Sequence, residues 1–426
     1  MNKVLTWFKN KGWEAQNFQK ECWKAYSEGK NGILHAPTGS GKTYAIWGGI
    51  IEESLKMKKH KIGIQIIWIT PLRALAVEIQ KAIQMMTDDL NPDLKIALRT
   101  GDTSQKERGN QKRKPSFGLV TTPESLHLLL STKDHQKTLQ SLKVIVIDEW
   151  HELLGTKRGV QIELAIAYLN YFLPNLKVWG ISATIGNKDL ASKILLGSSK
   201  SFVTVNAEIQ KKIEVESILP KNMERFPWRG HLGIHLLSRV LEIVKKNKTT
   251  LIFTNTRAQC EIWYHHLLDR NPELAGDIAM HHGSIDKKIR LWVEDALRKE
   301  NLKVVVCTSS LDLGVDFSPV ENCIQIGSPK GVGRFIQRAG RSGHQPKAKS
   351  KIYFLPTHAM ELIESLALQR GIEKHKIEDR LPYLNSYDVL FQFLMTLAVG
   401  SGFDQKDLFP IIQKTFCFQT IKKEQW

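Results

Sequence analysis

Gly32-Ile33-Leu34-His35-Ala36-Pro37-Thr38-Gly39-Ser40-Gly41-Lys42-Thr43 decides the fold, because an apolar run passes through a glycine-rich turn straight into the apolar helix pattern of Tyr44 to Ile51. Strand, loop and helix in that order open a parallel α/β unit. Glycines in such a loop let backbone N–H groups approach and cradle phosphates, while the helix presents its positive end. Thr38, Gly39, Ser40 and Gly41 would line the cradle. Lys42 would reach the β- and γ-phosphates, and Thr43 would offer its hydroxyl to Mg²⁺. Ala36 stands where the strict pattern has its first glycine.

Outward from this stretch, short runs rich in Val and Ile recur, each followed by a polar or glycine-containing turn and then helical periodicity. They are Gly32 to His35, Ile62 to Thr70, Phe117 to Thr121, Val144 to Asp148 and Val178 to Ser182, then Thr250 to Thr254, Ile278 to His281, Val304 to Thr308 and Cys323 to Gly327. The unusual motifs sit at the carboxyl ends of these runs, where open α/β sheets bind ligands. Val144-Ile145-Val146-Ile147 ends in the acidic pair Asp148-Glu149, the second half of a nucleotide-hydrolysing site. Asp148 would hold Mg²⁺ through water, and Glu149 would be the general base for the water that attacks the γ-phosphate. Trp150-His151 completes a D-E-x-H box, which sets the pair apart from an ordinary acidic turn.

The chain has 426 residues, long enough for two or three domains. Hydrophobic residues at 42% and charged residues at 24% exclude a disordered or fibrous chain. The 61 Lys and Arg outnumber the 43 Asp and Glu, giving a net charge of +18. That surplus fits either a polyanionic partner or a merely well-solvated surface. The five cysteines are scattered, with no C-x-x-C pair to suggest zinc, an iron-sulfur cluster or a redox motif, so a reducing compartment is expected. Neither a signal-peptide-like start nor an apolar run of about 18 residues occurs, so no membrane is expected and the chain reads as cytoplasmic.

Between Ala207 and Trp228 the pattern loosens into a charged stretch with Pro220 and Pro227, and then the strand series restarts. This predicts an ATP-binding α/β domain over 1–206, a connecting segment over 207–229 and a second α/β domain over 230–372. After Pro356 the strands stop, Ala359 to Gly371 and Ser386 to Val399 read as helices, and a third, helical unit is expected, with 373–426 as its own domain.

Taken together, these motifs resemble the superfamily 2 helicases, and within them the large helicase-related (Lhr-type) proteins, closest to the ligase-associated DEXH-box branch. The likeness is carried by Asp148-Glu149-Trp150-His151-Glu152-Leu153-Leu154-Gly155, Glu224-Arg225-Phe226-Pro227-Trp228 and Thr308-Ser309-Ser310-Leu311-Asp312-Leu313-Gly314-Val315-Asp316. It covers essentially the entire chain. The resemblance implies an α/β fold of two tandem RecA-like domains, parallel sheets flanked by helices, followed by a partial, mainly helical winged-helix domain. It implies ATP and Mg²⁺, and movement on single-stranded DNA, 3′ to 5′, that separates DNA duplexes or RNA:DNA hybrids in DNA repair. A repair ligase or nuclease is then a candidate partner. Two other readings stay open: an RNA helicase or remodeller, and a nucleic-acid-stimulated ATPase without unwinding activity. Family members normally continue well beyond such a point, so the chain reads as a piece of a longer protein.

By the same resemblance, Gln19 would recognise the adenine, while Pro71 and Arg73 of Thr70-Pro71-Leu72-Arg73-Ala74-Leu75, and Thr121 and Thr122, would touch the nucleic-acid backbone. Ser182 and Thr184 of Ser182-Ala183-Thr184 would couple hydrolysis to strand movement, together with His151. In the second half, Thr254 and Arg257, His282 and Gly283 of His281-His282-Gly283-Ser284, and Thr308 and Ser309 would grip the strand. Hydroxyls, amides and N–H groups at strand ends hold phosphate oxygens without reading bases, which suits a motor that slides over any sequence. Asp316, Gln337 and Arg338 would contact the nucleotide. Arg341, in Gln337-Arg338-Ala339-Gly340-Arg341-Ser342-Gly343-His344, would supply a guanidinium to the transition state from the other domain. His344 stands where the wider superfamily often has a second arginine.

Basic clusters at 56–61, 112–114 and 347–351 read as loops, either tracks for a phosphate backbone or simply solvated. The 11 tryptophans include Trp7 and Trp13, whose spacing predicts core packing rather than base stacking.

Overall fold

The computed structural model describes residues 2–37, 39–57, 63–183, 185–197, 201–208, 213–220, 233–313, 320–343 and 349–426. Thr38, Thr184, Asp316 and His344 therefore lie outside the described residues, as do Glu224 to Trp228 and the cluster positions 58–61, 347 and 348.

Two parallel sheets organise the chain. The first contains β1 (Asn31–His35), β2 (Ile66–Ile69), β3 (Ile96–Arg99), β4 (Gly118–Thr121), β5 (Val144–Ile147), β6 (Lys177–Ser182) and β7 (Phe202–Asn206), in the order β3-β4-β2-β5-β6-β1-β7. The second contains β8 (Ile213–Ser217), β9 (Thr250–Phe253), β10 (Ile278–His281), β11 (Val304–Cys307), β12 (Asn322–Ile326) and β13 (Ser350–Leu355), in the order β10-β11-β9-β12-β13-β8. Central strands such as β2, β5, β9 and β11 are buried at every position, which is why they read as unbroken Val/Ile runs. The tandem RecA-like α/β architecture expected from the sequence is the one observed.

Strands absent from the sequence reading lie mainly at sheet edges. Phe202–Asn206 and Ile213–Ser217 are each half-exposed, and Ile96–Arg99 is fully buried only at Ile96. One exposed side removes the apolar run that marks a central strand. β8 falls inside 207–229, so that segment, read as a connector, in fact supplies an edge strand of the second sheet. The cluster at 347–351 also changes reading: Lys351 is the second residue of β13 and pairs with Glu216 at 3.2 Å, while Lys349 pairs with Glu214 at 2.8 Å. Lys112 and Arg113 end a helix, Gln105–Arg113, rather than lying in a loop.

The helices after Pro356 divide between the two compact units. Met360–Glu373 belongs with the second sheet, whose compact unit spans 209–378, whereas 379–426 joins the first. Helices Tyr387–Val399 and Gln405–Gln413 bring Val389, Leu390, Phe393, Leu397, Leu408 and Ile412 into the core beneath the first sheet. Polar pins fix this docking to the helix Lys157–Phe172, which follows the acidic box: Lys157 meets Asp388 at 2.5 Å, and Gln161 donates to Gln392 at 3.1 Å. Gly155 has φ +73, and a Cβ there would sit 2.6 Å from the Leu381 carbonyl oxygen, so only glycine lets this connection pass.

Glu163 lies in the same seam, 6% exposed, and accepts from the Cys417 N–H at 3.0 Å. Burial pushes its carboxyl up from 4.5 to about 8, against the lowering effect of the Cys417 and Phe416 N–H groups. Between those values the folded chain keeps a proton that the unfolded chain has released. Stability present below the lower value is therefore lost as the pH rises through the upper one. Glu163→Gln, neutral throughout, is expected to flatten this slope. Urea midpoints of the two proteins should lie close at pH 5 and separate toward pH 8, with the variant the more stable; a constant gap would refute the assignment.

Candidate active site and nucleic-acid interface

Strand order brings the nucleotide motifs together. β6 runs between β1 and β5, so the phosphate loop after β1, the acidic pair after β5 and Ser182 at the end of β6 share one edge of the first sheet. Gly39 and Gly41 have φ 77 and 82, the left-handed region that the loop requires. Gly41 also meets Gln19, whose Nε2 donates to the Gly41 carbonyl at 3.0 Å, and a Cβ at that position would lie 2.8 Å from Nε2. The Gln19 amide oxygen accepts from Gln16 N–H at 2.9 Å. Gln19 is thus tied to the loop whose ligand it is expected to read.

Lys42 and Glu149 are both buried, and Lys42 Nζ lies 2.8 Å from Glu149 Oε1. Glu149 takes a left-handed backbone, φ 48 and ψ 46, which costs a non-glycine residue about 1–2 kcal/mol and is held here at the end of β5. Asp148 accepts from the Glu149 N–H at 2.9 Å and from Trp68 Nε1 at 3.1 Å. Burial, then the neighbouring Glu149 carboxylate, pushes the Asp148 carboxyl upward. Thr43 is half-buried on the first turn of the helix Lys42–Leu55. Trp150 is a core residue with no exposed surface, its Nε1 donating to the Ala191 carbonyl at 2.9 Å.

His151 bridges the acidic box and the expected coupling motif. Its Nδ1 accepts from the Ala183 N–H at 3.1 Å, which places the ring proton on Nε2, and burial lowers its affinity for a second proton. Ser182 Oγ is buried without a partner among the described residues. The sequence reading missed two neighbours. One is Trp68, flagged only by being the odd residue in an Ile run. The other is His35, the register partner of Ser182, whose ring nitrogens are buried without partners among the described residues. Burial, then Lys188 and His151, lowers His35 to about 4, so it is neutral.

The residues expected to hold a strand occupy the other part of each sheet. In the first sheet they follow β4 and β2, next to β3. Arg73 is exposed and pairs with Asp102 at 2.7 Å, Pro71 is buried, and Thr121 and Thr122 donate to Arg99 O at 2.7 Å and to Ser125 Oγ at 3.3 Å. In the second sheet they follow β10, β11 and β9, again adjacent. Thr254 donates to the Cys307 and Thr256 carbonyls, each at 3.2 Å, Arg257 donates to Ser284 Oγ, and His282 Nδ1 accepts from Ser284 N–H at 3.3 Å. Gly283 and Ser309 are exposed and Thr308 half-buried.

Gln337, Arg338 and Arg341 are all buried. Arg338 grips Asp312 with two bonds, 2.8 and 3.1 Å, also donates to Gln325 Oε1, and lies 4.9 Å from the Phe253 ring centroid. Arg341 instead donates from Nε and Nη2 to the main-chain carbonyl of Asp312, at 3.2 and 2.8 Å. Asp312 is therefore an organising residue that the sequence reading quoted but gave no role. Trp13 departs from expectation too: Trp7 is buried, but Trp13 is 47% exposed at the rim of an aromatic cluster with Trp7, Phe8 and Tyr44.

Family models match the chain in sequence: DEAD/DEAH box helicase over 16–192, helicase conserved C-terminal domain over 234–345, and the winged helix domain of large helicase-related protein over 370–426. The ATP-dependent helicase Lhr-Core of Methanocaldococcus jannaschii is 31% identical over 99% of this chain and 51% of its own length. The Lhr helicase/uracil glycosylase of Escherichia coli is 29% identical over 92% of this chain and 29% of its own. This chain thus spans about half the length of the Lhr-Core relatives it matches. The structure of Mycobacterium smegmatis helicase Lhr bound to ssDNA and AMP-PNP aligns at TM-score 0.86 and 28% identity, covering 99% of this chain and 56% of that one. With a phosphate loop, a DEWH box and an arginine-bearing motif set on two parallel sheets ahead of a matching winged-helix segment, the chain belongs to the superfamily 2 helicases of the large helicase-related (Lhr) type.

Proposed function

We propose that this chain is the motor of an ATP-dependent helicase that moves 3′ to 5′ on single-stranded DNA and separates duplexes or RNA:DNA hybrids, in the setting of DNA repair. The observation that carries the reading is the division of the first sheet. β5, β6 and β1 gather Lys42, Glu149 and Ser182 at one edge, while β4 and β2 place Arg73 and Thr122 beside them. The ssDNA and AMP-PNP bound to the M. smegmatis relative support a single strand and an adenine nucleotide as ligands here. Likeness of the sequence motifs to the ligase-associated branch supports the repair setting, a ligase or nuclease partner and a cytoplasmic location; among the described residues no helix is long and apolar enough to cross a membrane.

Phosphates brought to Lys42 take over the ammonium that now faces Glu149. The carboxylate is then left to accept a proton from the attacking water. Thr43 and Asp148 would hold Mg²⁺, whose preference for one or two carboxylates plus phosphate oxygens and waters fits this sparse donor set, and the ion would neutralise developing phosphate charge. His151 carries the change at the acidic box to Ala183 and Ser182. Gln19 fixes the loop at Gly41. Arg341 is assigned as the finger by its place in the motif Gln337 to His344, while Arg338 is committed to the Asp312 carboxylate.

Steady-state ATP turnover, measured with no strand and with single-stranded DNA or RNA, tests the reading. DNA is expected to raise turnover by about tenfold or more over the basal rate, with RNA giving less. Absence of stimulation by either strand would refute a motor, and stronger stimulation by RNA would replace DNA with RNA as the track.

A further inference from the structure

We propose that Glu294, which no motif singles out, is a positioning residue that sets the strand-holding segment 308–310 through the buried ring of His281. The proposal rests on the reading of Thr308 and Ser309 as strand contacts.

His281 closes β10 and is 1% exposed. It holds the segment after β11 from both its main chain and its side chain. Its carbonyl accepts from the Thr308 N–H at 3.2 Å and from Ser310 Oγ at 2.8 Å, and its Nδ1 lies 2.8 Å from the same Ser310 Oγ. Ser310 has one proton to share between that carbonyl and the ring, and a ring that accepts it at Nδ1 carries its own proton on Nε2. The other ring nitrogen faces Glu294 Oε1 at 3.2 Å, and the Glu294 side chain is only 12% exposed. Glu294 projects from the helix Lys287–Arg298, one layer away from the strand ends.

A continuous relay therefore runs from a helix, through an imidazole, to the short turn Ser309–Leu311. The ring's rotation about its Cβ–Cγ bond is held from both of its nitrogens, by Ser310 at Nδ1 and by Glu294 at Nε2, and Glu294 is the anchor that lies outside the strand-holding segment. Holding phosphate oxygens with hydroxyls and N–H groups demands that the donors be fixed beforehand, so an untethered ring weakens strand binding without touching the strand. A purely structural Glu294 would instead affect the whole second domain alike.

The test compares Glu294→Ala and Glu294→Gln with the unaltered chain by amide hydrogen exchange over 308–313, by anisotropy of a labelled single-stranded DNA, and by basal ATP turnover. Glu294→Ala is expected to speed exchange in that segment by about tenfold and to weaken strand binding by about three- to tenfold, the scale of one lost hydrogen bond, with basal turnover unchanged. Glu294→Gln should stay within about twofold of the unaltered chain, because its amide donates to, or accepts from, the same ring nitrogen. The proposal is overturned if Glu294→Ala leaves exchange or strand affinity unchanged, if Glu294→Gln is equally defective, or if exchange rises throughout the second domain. Should the unaltered chain bind no strand at all, the proposed function fails, and local exchange alone then decides the relay.

Discussion

Arg341→Ala is expected to lower strand-stimulated ATP turnover by about 10³- to 10⁵-fold, the range of a guanidinium that stabilises phosphoryl transfer. Arg341 and Arg338 lie three residues apart, are both buried and both bond Asp312, yet their tethers differ in kind. Arg338 is locked to the Asp312 carboxylate by two charge-assisted bonds, whereas Arg341 meets Asp312 at its main-chain carbonyl. Their variants should therefore separate. Arg338→Ala removes two charge-assisted bonds from the buried Asp312 carboxylate and leaves it the looser contact with Arg334 at 3.6 Å, a loss of about 3 kcal/mol in unfolding free energy, read as a lower urea midpoint. Arg341→Ala, which leaves the Asp312–Arg338 pair intact, should move that midpoint less than Arg338→Ala does while abolishing fast turnover. If Arg341→Ala proved as active as the unaltered chain, or if turnover and stability fell in step in both variants, Arg341 would not be the finger.

Glu149→Gln should reduce turnover by about 10²- to 10⁴-fold while nucleotide still binds. The amide reproduces the shape of the carboxylate and can remain within reach of Lys42, now 2.8 Å from Glu149 Oε1, but it cannot take a proton from water. That range corresponds to about 3–5 kcal/mol of barrier. Single-turnover hydrolysis and binding of a fluorescent nucleotide measure the two quantities separately. Retained hydrolysis would move the base elsewhere. Loss of binding in step with hydrolysis would mean that the substitution had collapsed the left-handed turn at φ 48 rather than removed a base.

Features that depend on neighbours in the chain were legible in the amino-acid sequence. The loop at 39–43 needs only glycines at set positions and a strand and helix on either side, and Asp148-Glu149 needs only its apolar run. The central strands were legible for the same reason, since burial on both faces writes itself as consecutive Val and Ile. Edge strands carry no such record. Half-exposed Ile213–Ser217 therefore passed for a connector.

What the sequence by itself determined was thus the set of parts: two parallel α/β halves, a phosphate loop, an acidic box and polar residues at strand ends. The tertiary structure decided which parts meet. β6 inserts between β1 and β5, putting Ser182 between loop and box and Ala183 against His151 of the box, and 379–426 docks on the first sheet's core. Glu294 reaches Ser310 only through His281. Each of these is a pairing between segments distant in sequence, set by which apolar faces bury one another and which buried polar groups find partners. No local residue pattern records that choice, because the same strand or helix is compatible with several neighbours until the whole core is packed.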